Sequence, residues 1–244
     1  MRDDLLLLSN SAVHGRGYLE HALDEIAAFL GGRRDVLFVP YALADHDTYT
    51  GKVRQALAPL GVNVQGVHTT PQPGKAVAAA EVVFVGGGNT FRLLRGLETA
   101  GMLETVRRRV TAGELSYLGS SAGTNVACPT IRTTNDMPIV QPGSLSALGL
   151  IPFQVNPHYL DPDPGSKHMG ETREERIVQF LEENDVPVLG LREGAWLRRT
   201  GDSLQLRGET GAVLFRRRAA AEAFAPGADL SFLLAGTPHF DEPL

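Results

Sequence analysis

The chain is poor in cysteine: Cys128 is the single thiol in 244 residues. That excludes an internal disulfide and fits a reducing compartment, so the cytoplasm is the expected location. Long apolar runs are absent too, and nothing approaches the length needed to cross a bilayer. The opening "MRDDLLLLSNS" has an apolar run too short, and preceded by two aspartates, to read as a signal peptide. Positive charge is scarce as well. A formal net charge of −5 argues against general attraction to nucleic acid or to anionic membranes. The two basic triplets, Arg107–Arg109 and Arg216–Arg218, are short, flanked by apolar residues, and read as solvated faces.

What is present is an alternation. Short apolar runs at Leu5–Ser11, Asp35–Tyr41, Val62–His68, Glu81–Gly88 and "LSYLG" read as buried strands. Between them, Gly17–Leu30, Tyr49–Leu60 and Thr90–Ala112 carry apolar residues at helical spacing. That order predicts a parallel sheet with helices on both faces. Further on, a strand is expected at Phe153–Tyr159, a helix at Glu171–Asn184 and a strand at Val186–Glu193. The remainder alternates short strands with Gly turns, as antiparallel hairpins on one edge would. With no repeat or linker, residues 1–244 are expected to form one domain.

The stretch Gly119-Ser120-Ser121-Ala122-Gly123 closes a strand and precedes residues able to continue as a helix. It matches G-x-S-x-G, a sharp turn that lifts its central serine above the sheet edge while small neighbours avoid a clash. The register makes Ser121 the nucleophile and Ser120 the permissive middle residue, with the Ala122 N–H directed at a developing oxyanion. A serine hydroxyl needs a base, itself oriented by a third group. His158, at a strand end in "QVNPHYLDP", is placed for this; His68 ends another strand without a supporting pattern. Parallel strands present their C-terminal ends at one edge, where ligands bind, so His158 is expected beside Ser121. Glu193, closing "VLGLRE", follows the same strand-end logic, with Asp136 in "TTNDMPI" as its rival.

"VFVGGGNT" satisfies neither GxGxxG nor GxxxxGK[ST], so nucleotide binding is disfavoured. A glycine N–H there serves better as the second oxyanion donor; Gly88 is preferred, Gly87 next. "DPDPGSKHMGETREERI" could be misread as a metal site through Asp161, Asp163, His168 and Glu171, but the spacing is irregular. Arg173 in the same stretch would select an anionic substrate by a bidentate contact.

In their order and approximate spacing, "VGGGNT", "GSSAGTN", "TTNDMPIV", "NPHY", "GETREER" and "REGAW" resemble the peptidase E family of α-aspartyl dipeptidases. The resemblance implies a flavodoxin-like α/β fold related to class I glutamine amidotransferases. It also implies cytoplasmic hydrolysis of Asp-X dipeptides without metal or cofactor, and a homodimer. Carried over position by position, it makes Ser121 the nucleophile, His158 the base and Glu193 the acid, with Gly88 and Ala122 as oxyanion donors. Arg173 and Asp136 fall at positions suited to binding substrate. The chain order Ser…His…Glu departs from the Ser…Asp/Glu…His of α/β-hydrolases. An amidotransferase would place cysteine at Ser121. The alternatives are a cyanophycinase-like hydrolase of β-aspartyl peptides and a non-catalytic binder of acidic amino acids on the same fold.

Overall fold

The computed structural model describes residues 4–163, 165 and 169–242. The first strand, β1 (Asp4–Leu8), carries four consecutive leucines, all fully buried. Leu5 and Leu7 enter one core and Leu6 and Leu8 another, as a strand covered on both faces requires. Helix α1 (Leu23–Leu30) starts later than its apolar spacing predicts, because Leu19 takes a left-handed φ of 62° and a 3₁₀ turn follows. Then come β2 (Asp35–Val39) and α2 (His46–Leu57). The latter begins earlier than expected, since Asp45 accepts the Thr48 N–H at 2.9 Å and caps it.

Next are β3 (Asn63–Gly66), α3 (Pro73–Ala79) and β4 (Val82–Val85). The long helical stretch expected over 90–112 is two helices, α4 (Thr90–Thr99) and α5 (Leu103–Thr111), parted at Gly101 with φ 63°. After β5 (Ser116–Ser120), α6 (Ala122–Asn125) is a single turn. The chain then runs without helix or strand until β6 (Gln154–Tyr159). Helix α7 (Arg173–Glu183) opens on a reciprocal capping box between Thr172 and Glu175. The strands β7 (Val188–Arg192), β8 (Ala195–Thr200), β9 (Ser203–Gly208), β10 (Ala212–Phe215) and β11 (Glu222–Phe224) follow.

These strands make two sheets. The larger has the order β3-β2-β4-β5-β1-β8-β9; its first five strands are parallel, and β8 and β9 add antiparallel. One face packs α1 and α2 through Ile26, Phe29, Val53 and Leu57; the other packs α4 and α5 through Leu93, Leu97, Val106 and Val110. The fold class is therefore the expected one, a mostly parallel sheet between helices.

Two expectations need correction. The strands that deliver His158 and Glu193 are not in the sheet that delivers Ser121. Parallel β6 and β7 belong to a second sheet, β11-β10-β7-β6, whose Val155, Leu189 and Leu191 share the core of Leu5 and Leu7. Nor do the late hairpins line one edge: β8 and β9 extend the first sheet, whereas β10 and β11 extend the second. Helix α7 covers that second sheet, with Ile177 and Leu181 against Tyr159, Val188 and Phe215. Among the described residues no helix is long and apolar enough to cross a membrane.

Candidate active site

At the end of β5 the chain turns at Ser121 with φ 53° and ψ −109°, a region that L-residues rarely occupy. Backbone strain of this kind costs on the order of 1–3 kcal/mol and persists only where the surroundings enforce it. The enforcement is visible. Leu8 O at the end of β1 accepts both the Ser121 N–H, at 3.0 Å, and the Thr124 hydroxyl, at 2.6 Å. The glycines two residues to each side are required by close approach: a Cβ on Gly119 would meet Gly123 O at 2.6 Å, and one on Gly123 would meet Val85 O at 2.0 Å. The two serines part company here. Ser120 is fully buried and its hydroxyl has no hydrogen-bond partner among the described residues, whereas Ser121 lines an open cleft.

The imidazole of His158 reaches from the second sheet to the hydroxyl at the end of β5. Its Nε2 lies 2.9 Å from Ser121 Oγ, and its Nδ1 lies 2.6 Å from Glu193 Oε1. A carboxylate accepting from Nδ1–H leaves Nε2 free to accept from the hydroxyl, the tautomer that general-base chemistry needs. Pairing of β6 with β7 slips between Pro157 and Tyr159, and His158 has φ 54°. Such a bulge re-aims a side chain out of the regular alternation. Asp136 is occupied elsewhere: its Oδ2 accepts from the Thr90 N–H at 2.7 Å and the Thr90 hydroxyl at 2.6 Å, at the start of α4. Glu193 is the acid that faces the imidazole. His68 instead meets Asp47 at 2.9 Å.

Two residues missing from the sequence reading hold this arrangement together. Ser9, fully buried just past β1, donates to Leu191 O at 2.8 Å and accepts the His158 N–H at 2.9 Å. Its neighbour Asn10 accepts the Gly194 N–H through Oδ1 at 2.9 Å. One polar dipeptide thus ties both strand ends, next to His158 and next to Glu193. The signal available in the sequence was a polar pair following four leucines at a strand's C-terminal end.

On the opposite side of the hydroxyl lies the glycine loop. The Gly86 N–H goes to Val39 O, the Asn89 N–H to Ala42 O, and the Gly87 N–H faces the Tyr49 hydroxyl. The N–H groups of Gly88 and Ala122 make no hydrogen bond among the described residues. Backbone N–H donors beside a serine hydroxyl suit a developing oxyanion.

The cleft in front of Ser121 encloses about 370 Å³ and is walled by Asp136, His158 and Arg173 among others, a size suited to a small molecule. Arg173, half-buried at the first turn of α7, makes no hydrogen bond or ion pair among the described residues. Burial is the main influence lowering its pKa, with Arg176 adding to it and the Asp136 carboxylate opposing. A half-buried guanidinium with no hydrogen bond or ion pair among the described residues suits an anionic group.

Asp161 is held bidentately by Arg192 at 2.6 and 2.7 Å, Asp163 accepts the Gly165 N–H, and His168 lies outside the described residues. Among the described residues no group of three or more His, Cys, Asp or Glu is placed to hold a metal. The first basic triplet is more than a solvated face, since Arg107 and Arg109 each donate to backbone carbonyls of distant segments.

Residues 5–207 match Peptidase family S51. Over 238 residues the chain is 61% identical to "Peptidase E" of Streptomyces coelicolor, covering 98% of each. It is 52% identical over 233 residues to the "Probable alpha-aspartyl dipeptidase" of Drosophila melanogaster, covering 95% of this chain and 97% of the other. The crystal structure of a peptidase from an acI-B1 Actinobacterium shares the fold at a TM-score of 0.70 and 17% identity, covering 95% of this chain and 98% of that one.

Proposed function

The chain belongs to peptidase family S51, and from that membership and the cleft's geometry we infer that it is a serine dipeptidase removing an N-terminal aspartate from Asp-X. The observation that carries the reading is the hydrogen-bonded run Ser121–His158–Glu193 opening onto Arg173, which has no hydrogen bond or ion pair among the described residues.

The mechanism follows from the atoms. His158 Nε2 takes the Ser121 proton as Oγ attacks the carbonyl carbon of the aspartyl residue. Charge accumulating on the carbonyl oxygen is held by the Gly88 and Ala122 N–H groups. Glu193 stabilises the imidazolium across the 2.6 Å contact. The imidazolium then protonates the leaving nitrogen, the C–N bond breaks, and an aspartyl ester remains on Ser121. Water, deprotonated by the same Nε2, releases aspartate. Arg173 pairs with the substrate's side-chain carboxylate. Asp136 Oδ1 accepts no hydrogen bond among the described residues, which leaves it as an acceptor for the substrate's α-ammonium. Location in the cytoplasm, where a buried free thiol is at home, belongs to the same reading.

Hydrolysis of Asp-Leu by wild type, Ser121→Ala and Ser120→Ala tests it. Ser121→Ala is expected to lose turnover by about 10⁴-fold or more with an unchanged circular dichroism spectrum, and Ser120→Ala to retain it. Activity surviving in Ser121→Ala and lost in Ser120→Ala would move the nucleophile by one residue. Running the β-linked isomer of Asp-Leu alongside separates an α-aspartyl from a β-aspartyl hydrolase.

A further inference from the structure

Two cavities meet at Ser121. The one holding Arg173 has been described. The other encloses about 510 Å³ and is walled by Tyr18, Leu43, Tyr49, Lys52 and Gly88, with Ser121, Asp136 and His158 lining both. An enzyme that splits a bond at Ser121 must hold one half of its substrate on each side of the hydroxyl. With the aspartyl half drawn to Arg173, the leaving residue occupies the second cavity.

We propose that this second cavity is the leaving-residue subsite, and that Lys52 binds the terminal carboxylate of that residue, which restricts the enzyme to dipeptides. The inference rests on the aspartyl reading of the Arg173 side.

The walls are continuous from the reacting serine to the cation. A Cβ on Gly87 would lie 3.0 Å from Ser121 Cβ, and the Gly87 N–H faces the Tyr49 hydroxyl. Tyr49 Oη is 3.1 Å from Tyr18 Oη, and Lys52 Nζ sits 4.5 Å from the centroid of the Tyr18 ring. Burial raises the pKa of both phenols, so they present neutral, largely apolar surface to a side chain. Asp45 also lines the cavity, but its carboxylate is engaged in capping α2. Lys52 makes no hydrogen bond or ion pair among the described residues. Its ammonium rides over a ring on a flexible four-carbon stem, able to swing toward an anion in the cavity. In a dipeptide the leaving residue ends in that anion. In a tripeptide or a C-terminal amide the same position is neutral, and in the tripeptide the chain continues into the lysine.

The test compares kcat/KM for Asp-Leu and Asp-Leu amide in wild type, Lys52→Met and Lys52→Arg. Lys52 is exposed, so the variants are expected to fold, which their thermal midpoints check. Wild type is expected to prefer the free acid by about fivefold or more, as suits a partly solvated ion pair. Lys52→Met should bring the ratio close to one, chiefly through KM, and Lys52→Arg should restore it. A ratio unchanged in Lys52→Met, or no preference in wild type, overturns the assignment of Lys52 and leaves the aspartyl reading standing. Failure of wild type to cleave either substrate overturns the aspartyl reading itself, and the subsite with it.

Discussion

The turn at Ser121 and the strand ends bearing His158 and Glu193 reach the same cleft by opposite means. The turn is specified within a few residues: two glycines permit the close approaches, and the strained φ follows from where β5 must end. The strand ends depend on distance. His158 and Glu193 lie on a different sheet, and the hydroxyl and amide that fix them come from Ser9 and Asn10, with His158 and Ser9 separated by 149 positions and Gly194 and Asn10 by 184. The turn can thus be written into a pentapeptide, whereas the contacts of its hydroxyl require the whole fold to close correctly.

That contrast can be broken most severely at Gly123. Gly123→Ala puts a Cβ 2.0 Å from Val85 O with no flexible side chain to yield. It is expected to cost about 3 kcal/mol of stability or more, read as the midpoint of urea unfolding. A midpoint near that of wild type would mean that the turn tolerates a different path. On the other side of the cleft the expected effect is chemical. Glu193→Gln keeps the shape beside Nδ1 but removes the charge that stabilises the imidazolium. It should lower kcat about 100-fold with little change in KM or in unfolding midpoint. A comparable loss in Asp136→Asn together with a near-silent Glu193→Gln would reassign the acid.

The smallest effect sharpens the comparison. Ser9→Ala leaves Leu191 O and the His158 N–H without their partner, and is expected to cost about 1–3 kcal/mol of stability. Because the imidazole loses its anchor rather than its chemistry, kcat should also fall about tenfold while KM holds. Ser9→Thr, which keeps the hydroxyl, should recover most of both. A stability loss with kcat untouched would reduce Ser9 to a structural tie between sheets.

Legibility in the sequence divides along the same line. The alternation of β1 to β5 with helices, the turn at Ser121, and the strand ends at His158 and Glu193 are local patterns, and the structure has each of them. Which sheet a strand joins is decided by long-range pairing, and β6 and β7 look no different in sequence from the strands of the larger sheet. Helix α3 escaped because seven residues, several of them alanine and glycine, carry little apolar periodicity. Ser9 and Asn10 were absorbed into the apolar run that precedes them, since nothing nearby in the chain reveals what they touch. The glycine loop was legible as a strand end leading into a helix, and the structure has that turn between β4 and α4.

Strand β1 leaves the ribosome well before its two neighbours in the larger sheet, β5 and β8, the latter ending at Thr200. At the usual pace of translation roughly 10–40 s separate its emergence from that of its second partner. Throughout that interval four leucines wait with one flank uncovered, and the polar pair behind them has nothing to clasp. A growing chain therefore cannot clasp the strand ends beside His158 and Glu193 until Gly194 has been made.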